Sequence, residues 1–409
     1  MFLIVFPERR NRLITRDRKY LGKEGEGARE MLRGVIEEFE SGLPRLERLW
    51  RYRQGRGDIM ARERAEGLFN ARLSHGFARY ITQVSAGFLL SEPVRYSDGK
   101  RKEAVSALET LYRQAGAEQA DTELATQQAG FGRGVSLFYE SEGRLRLSAL
   151  DPRSAFVVYD DTVEHRPLMG VLLSLERDAR GRPAGGTASV YLPEKTLSFR
   201  LKRGLPEERP EETPGPFARV PMVEYRNNEE ERCDFEEVLG LIDAYDLLGS
   251  DRLNDRMQFA DALLVLTGVA GIGTSEDLYD FRGGLRRLRE DKTLSLPDSE
   301  AKAEWLVKNP MEQDIDVLRR ALAEDIHKFS MTPDFSDERF AGNVSGIAIR
   351  YKLFCLEQKT RLKERWLIAG LRERARVAQG WMQKNGLPAI EPEELGISLR
   401  RQLPYAEQE

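Results

Sequence analysis

Cysteine and histidine are almost missing from this sequence, with two of the first and three of the second in 409 residues. Cys233 and Cys355 match neither a disulfide framework nor a cysteine-rich zinc site, so both are expected as buried small hydrophobes in a reducing compartment. His75, His165 and His327 stand at no metal-ligand spacing with one another or beside a cysteine. A histidine-based metalloenzyme or a Ser-His hydrolase is therefore disfavoured, and all three are expected to be structural. Long apolar runs are lacking too, and nothing approaches the roughly 18 consecutive residues that a membrane span needs. The opening Met1-Phe2-Leu3-Ile4-Val5-Phe6 is cut short by Pro7, Arg9, Arg10 and Arg12 and has no basic stretch before it. It is not expected to act as a secretory signal.

Phosphate-binding and nucleophile motifs are also absent. The pattern G-x-x-x-x-G-K-[ST] occurs nowhere, and Gly271-Ile272-Gly273 has Glu276 where a dinucleotide fingerprint requires its third glycine. Gly342-Asn343-Val344-Ser345-Gly346 has the spacing G-x-x-S-G, not that of a nucleophile elbow, and reads as a flexible loop feeding a helix. An excess of charge of one sign is missing as well: 64 Lys+Arg stand against 68 Asp+Glu, a net −4. The chain as a whole lacks the basic bias of a non-specific nucleic-acid binder.

What is present is a highly charged chain, 32% Asp, Glu, Lys and Arg, with a modest 40% of hydrophobic residues and room for two or three domains. Met31, Leu32, Val35, Ile36 and Phe39 recur at helical spacing and predict a helix over 28–54. A second helix is predicted over 65–89, ending before Pro93, and two more over 101–128. The period then changes to that of strands. Val135–Tyr139 and Leu145–Leu147 flank Ser141-Glu142-Gly143 as a hairpin, and strands follow at 156–159, 168–175, 189–192, 196–199 and 220–225. The proline and glutamate run 206–216 reads as an exposed loop.

An amphipathic helix is predicted over 234–262, with Val238, Leu241, Ile242, Tyr245 and Leu248 on its apolar face and Asp243, Asp246, Asp251 and Asp255 on a solvated one. A small mixed insert, 263–311, contains predicted strands at 263–266 and 293–296 and a basic patch at Arg286, Arg287 and Arg289. A helix over 312–331 returns from it, a glycine-bearing loop follows over 332–346, and the longest periodic run fills about 346–384. At 1.5 Å per residue that last helix spans about 55–60 Å. The fold class expected is α+β and elongated.

The balanced total hides polarised regions. From Lys202 to Asp261 there are 16 acidic and 8 basic residues; from Arg339 to Arg376 there are 10 basic and 3 acidic. Two readings fit the basic segment: a complementary surface between subunits or domains, and a nucleic-acid role. The aspartates at 243, 246 and 251 also admit a carboxylate-bound Mg²⁺ in a DNA-processing enzyme, although their spacing suggests no shaped pocket.

The segments Arg219-Val220-Pro221, Asn227-Asn228, Leu241-Ile242-Asp243-Ala244-Tyr245-Asp246, Ser250-Asp251, Asn254-Asp255 and Phe259-Ala260-Asp261-Ala262 together carry a resemblance. It continues in Pro333-Asp334-Phe335-Ser336-Asp337-Glu338-Arg339-Phe340-Ala341-Gly342-Asn343-Val344-Ser345-Gly346, Tyr351-Lys352-Leu353 and Leu356-Glu357. Upstream, Tyr52-Arg53-Gln54-Gly55, Asn70-Ala71-Arg72, Gly87–Val94, Leu150-Asp151-Pro152 and Val158-Tyr159-Asp160-Asp161 fit the same pattern. In their number and order these segments resemble the portal proteins of tailed bacteriophages with long non-contractile tails, over about residues 45–405.

The resemblance implies a ring of about twelve identical subunits at one capsid vertex, the conduit for double-stranded DNA in packaging and ejection. It implies a wing (1–233), a first stem helix (234–262), a clip (263–311), a second stem helix (312–331), a tunnel loop (332–346), a channel-wall helix (347–384) and a returning wing strand with a truncated crown (385–409). Members usually continue into a helical crown, which is expected here to be absent or vestigial. On this reading Phe335, Asp337, Glu338, Arg339 and Asn343 face the DNA channel, Gly342 and Gly346 are loop hinges, and Arg286, Arg287 and Arg289 face partners from the clip. The implied partners are the same chain, DNA, a terminase, a head–tail adaptor and the major capsid and scaffolding proteins. No membrane, metal, cofactor or catalytic residue is expected. The setting implied is the portal vertex of the virion, with host cytoplasm during assembly. Two alternatives stand beside it: an oligomeric intracellular adaptor without DNA passage, and the Mg²⁺-dependent enzyme.

Overall fold

The computed structural model describes residues 13–20, 26–65, 69–177, 183–202, 205–207, 210–259, 263–267, 302–306, 312–335 and 346–401. In chain order these hold β1 (Thr15–Arg16), α1 (Glu26–Arg53), α2 (Phe77–Leu89), β2 (Arg95–Ser97), α3 (Lys102–Ala115) and α4 (Ala117–Phe131). Strands follow as β3 (Arg133–Ser141), β4 (Arg144–Leu150), β5 (Ala155–Asp160), β6 (Pro167–Arg177), β7 (Pro183–Leu192), β8 (Lys195–Lys202), β9 (Leu205–Pro206), β10 (Glu211–Pro214) and β11 (Met222–Arg226). Then come α5 (Leu239–Phe259), β12 (Leu263–Thr267), β13 (Lys302–Leu306), α6 (Glu312–Phe329), α7 (Gly346–Lys384) and β14 (Gly396–Ser398). Helix and sheet are thus both major components, as α+β requires. Among the described residues no helix is long and apolar enough to cross a membrane.

The chain divides into two compact units, one of Met1–Asp58, Ser74–Ile242 and Glu324–Glu409, the other of Ile59–Leu73 and Asp243–Ala323. In the first, a sheet runs β1-β5-β6-β7-β8-β10, with β9 also on β8. Helix α1 lays Leu32, Val35, Ile36 and Phe39 against Phe156, Val158, Val171 and Val190 of that sheet. The Phe39 and Phe156 rings stack at 4.3 Å. Pro44 lies inside α1 without ending it, because buried Leu32, Val35 and Phe39 on one side and Leu46, Leu49 and Tyr52 on the other hold both halves down. A second sheet, β11-β3-β4, carries the predicted hairpin. Its two-residue turn places Glu142 and Gly143 at φ 54° and 71°, the left-handed pair that matches the twist of adjoining strands. The largest core joins α2, α3, α4 and this second sheet to α7, through Leu108, Leu124, Phe138, Tyr225, Leu367 and Leu371 among others.

Three expectations are corrected. The helix predicted over 65–89 begins only at Phe77. Upstream, the Ala71 amide donates to Asn254 Oδ1 at 2.6 Å and the Leu73 amide to Ser250 Oγ at 2.9 Å. Backbone donors captured by remote side chains cannot join an i→i−4 ladder. In the proline–glutamate run Pro206 is buried and paired with β8 through β9, and the exposed Glu211–Pro214 pairs with β8 as an edge strand, Glu212 opposite Leu197. Charge and proline are what a sheet edge tolerates. The third correction concerns α5, which starts at Leu239, after a 3₁₀ turn at Glu236–Val238, and ends at Phe259. Of the aspartates expected on its solvated face, Asp243, Asp251 and Asp255 are half-buried and Asp246 is 0% exposed, as are Ser250 and Asn254 on the same side, whereas Leu247, Leu253 and Met257 are exposed.

In the second unit, β12 and β13 pair antiparallel, Val265 opposite Glu304. The predicted strand at 293–296 lies outside the described residues. Arg62 pairs with Asp251 at 2.6 Å and Arg252 with Asp316 of α6 at 2.9 Å. Asp251 is thereby occupied by a guanidinium, in a structural ion pair.

Candidate functional site

The glycine-bearing loop before the long helix enters the described structure at its root, residues 330–335, and again at Gly346, where α7 begins. Asp337, Glu338, Arg339, Gly342 and Asn343 lie outside the described residues, and so do Arg286, Arg287 and Arg289.

The root is built from the end of α6. Met331 takes a left-handed φ of 53°. The Met331 amide donates to Lys328 O at 3.2 Å and the Thr332 amide to His327 O at 3.1 Å, the paired bonds that stop a helix and satisfy its last carbonyls. Glycine is the usual residue at such a position. Here a methionine is held in place because the next stretch of chain is tied down: Tyr80 of α2 donates its hydroxyl to Pro333 O at 2.6 Å and accepts the Phe335 amide at 3.1 Å. His327 stands between, its ring edge-on to Phe77 and Tyr80 at 5.8 and 5.7 Å. Its Nδ1 lies 3.0 Å from Thr332 O and its Nε2 3.8 Å from Asp334. His327 is thus a structural pivot of the loop root. The Phe335 side chain, a predicted channel residue, is 49% exposed.

Helix α7 is anchored by charge along its length. Near its start, Lys359 Nζ donates to Ser330 O at 2.8 Å and lies 3.6 Å from Asp234 Oδ1. Lys363 pairs with the other Asp234 oxygen, and Asn227 Nδ2 donates to Asp234 Oδ1 at 2.9 Å. Burial alone would raise the Asp234 carboxyl, but the two ammonium groups and the Asn227 amide overcome it and hold it at about 2. Burial pulls Lys359 downward. Further along, Arg374 is wholly buried, paired with Asp121, bonded to Tyr96 Oη at 2.8 Å and stacked over Tyr112 at 4.8 Å. Burial drives the Tyr96 phenol up to about 12. Arg401, from the C-terminal segment, clasps Glu357 and Glu364 of the same helix.

The sheet meets α7 closely. Gly370 admits the Tyr225 ring so near that a β-carbon would overlap it. Beside it, Arg226 lies over the Trp366 ring at 5.9 Å and near Glu231 at 3.7 Å. Glu231 is buried, and burial together with the neighbouring Glu224 carboxylate raises it to about 7 against the pull of Arg133, Arg226 and Arg45. Of these anchors the sequence singles out none. Tyr80, Asp234 and Lys363 sit in ordinary helical or loop contexts, and only the density of bases after residue 339 hinted that the long helix needed buried acids.

The loop root and the four-point anchoring of α7 describe a helix fixed against sheet and helices, with a loop tied down at its origin. Residues 32–409 match the family model described as phage portal protein, SPP1 Gp6-like. The chain belongs to that portal family. The portal protein of Bacillus phage SPP1 is 24% identical over 328 residues, which cover 74% of this chain and 61% of that protein. Among solved structures, a chain from the neck of a native gene transfer agent particle computed with C12 symmetry aligns over 82% of both chains, at 11% identity and a TM-score of 0.45. A chain from the neck of an empty particle computed with C6 symmetry aligns over 79% of this chain and 81% of its own, at 15% identity and a TM-score of 0.43. At these scores the likeness adds nothing to the portal family match.

Proposed function

We infer that this chain is a portal subunit that assembles into a ring of about twelve copies at one capsid vertex and serves as the conduit for double-stranded DNA. The family match over residues 32–409 carries the reading. The order of elements supports it: α5, an insert containing the β12–β13 pair, α6, a loop, then α7. In this reading α5 and α6 belong to the stem, the insert 263–311 is the clip that receives a terminase and later a head–tail adaptor, and 332–346 is the tunnel loop. Residues 1–233 form the wing, 347–384 the channel wall, and 385–409 the returning strand. The subunit itself is structural, and ATP hydrolysis belongs to the docking motor.

A conduit needs weak, readily exchanged contacts with DNA, since each Lys or Arg fixed on a phosphate adds salt-dependent grip. Much of the basic charge of α7 is consumed internally: Lys359 and Lys363 face Asp234, and Arg374 faces Asp121. That leaves Phe335, Asp337, Glu338, Arg339 and Asn343 for transient contact from a loop hinged at Gly342 and Gly346, with Arg286, Arg287 and Arg289 on the clip. Electron microscopy of the purified protein tests the reading. Rings with an axial opening wider than a duplex, roughly 20 Å, are expected. A narrower pore would point to a structural adaptor, and a globular monomer under all assembly conditions would sink the portal reading.

A further inference from the structure

The long helix carries an apolar stripe that no other described part of the chain covers. Leu353, Leu356, Thr360, Lys363 and Leu367 are buried, and at 100° per residue they share one side of α7. The opposite side, an arc of about 140° on the same wheel, exposes Tyr351, Phe354 and Leu362 at 76%, 56% and 61%. Cys355, expected from the sequence to be buried, lies exposed on the same arc, because α7 turns that side away from the core. Large side chains so exposed at helical spacing mark a contact surface. Arg350, Arg361 and Arg365, all exposed, edge the stripe, and between residues 350 and 365 no acidic residue falls within the arc, although Arg361 also pairs with Glu357 beside it.

A complementary surface lies across the helix. The segment that delivers Asp234 to the buried side of α7 also displays Glu229, Glu230 and Glu237 to solvent. Glu230 and Glu237 are 65% and 67% exposed, and Arg232, which pairs with both, leaves this patch net acidic. One element thus presents an apolar, basic face on one side and carries an acidic patch against its other side. Head-to-tail rings are built from two such unlike, complementary surfaces on opposite sides of a subunit. A DNA-facing stripe would have little use for three exposed hydrophobes.

We propose that the exposed stripe of α7, from Tyr351 to Leu362, packs against the Glu229–Glu237 patch of the next copy of this chain. The proposal rests on the ring reading above and names the surface that closes each contact. Apolar burial of Tyr351, Phe354 and Leu362 supplies affinity, and Arg365 opposite Glu237 fixes register and makes assembly salt-sensitive.

Cys355 is a built-in probe, and buried Cys233 its internal control. Maleimide labelling of wild-type protein should modify Cys355 rapidly in the separated subunit and at least tenfold more slowly in the assembled fraction, with Cys233 slow in both. Leu362→Glu and Arg365→Glu should shift protein from rings to subunits in sedimentation while leaving far-ultraviolet circular dichroism unchanged. Arg365→Glu combined with Glu237→Arg should restore rings. Rings in which Cys355 labels at the subunit rate, or rings formed undiminished by Leu362→Glu, overturn the proposal and leave the portal reading standing. Protection of Cys355 by duplex DNA and not by assembly overturns it too. Wild-type protein that never assembles overturns both.

Discussion

Lys363 and Asp234 form a buried ion pair, their side chains 5% and 2% exposed. The pair connects the loop after β11 to the long helix. Lys359, reaching both Asp234 and Ser330 O, extends it to the end of α6. Three separate stretches of chain therefore meet at one ammonium group, that of Lys359, beside the loop root.

Replacing Asp234 by Asn should leave two buried ammonium groups without a counter-charge and cost about 3–5 kcal/mol. Urea unfolding of the subunit reads this as a lowered midpoint. The pH response has a defined sign: a carboxyl held at about 2, below its usual 3.8, adds stability that is complete above pH 3.8 and lost as pH falls toward 2. The Asp234→Asn variant should lose that acid limb.

Glu231 predicts the opposite slope in a different window. Its carboxyl is raised from 4.5 to about 7, so the folded state holds the proton more tightly than the unfolded chain. Its contribution is complete below pH 4.5 and declines as pH rises through 7. Unfolding midpoints measured from pH 5 to 8 should fall in the wild type and stay flatter in Glu231→Gln.

Gly132 should tolerate no side chain. Its φ is 87°, and a β-carbon there would collide with the Glu231 carbonyl. Gly132→Ala combines that collision with a left-handed backbone and should destabilise by about 3 kcal/mol or more. Gly143, also left-handed but with open space around it, should lose only about 1 kcal/mol on the same change. Thermal unfolding of the two variants separates collision from backbone strain.

Tyr80→Phe removes the hydroxyl that joins Pro333 O to the Phe335 amide. Loss of two hydrogen bonds worth about 1 kcal/mol each should speed exchange of the Phe335 amide roughly tenfold or more. Hydrogen exchange read by mass spectrometry on a peptide ending near this residue checks it. An unchanged rate would mean that the Met331 turn and His327 hold the root unaided.

Much of the architecture was legible in local pattern. The spacing of Leu32, Val35, Ile36 and Phe39, the Glu142-Gly143 turn and the long periodic run after residue 346 each depend on neighbours within a few residues, and the structure holds a helix, a hairpin and a 39-residue helix there. The family resemblance was readable as well, because it resides in short segments in a fixed order. What the sequence could not determine is which face of an element meets a partner. Period 3.6 groups Asp246, Ser250 and Asn254 on one side of α5 but says nothing of the amides of Ala71 and Leu73, some 180 residues earlier, that make that polar side the buried one. The same holds for Asp234, whose two lysines lie 125 and 129 residues on. Hydrophobic periodicity is written into neighbouring residues, whereas the partner of a buried polar group is set by where distant chain arrives, and only the tertiary structure decides that.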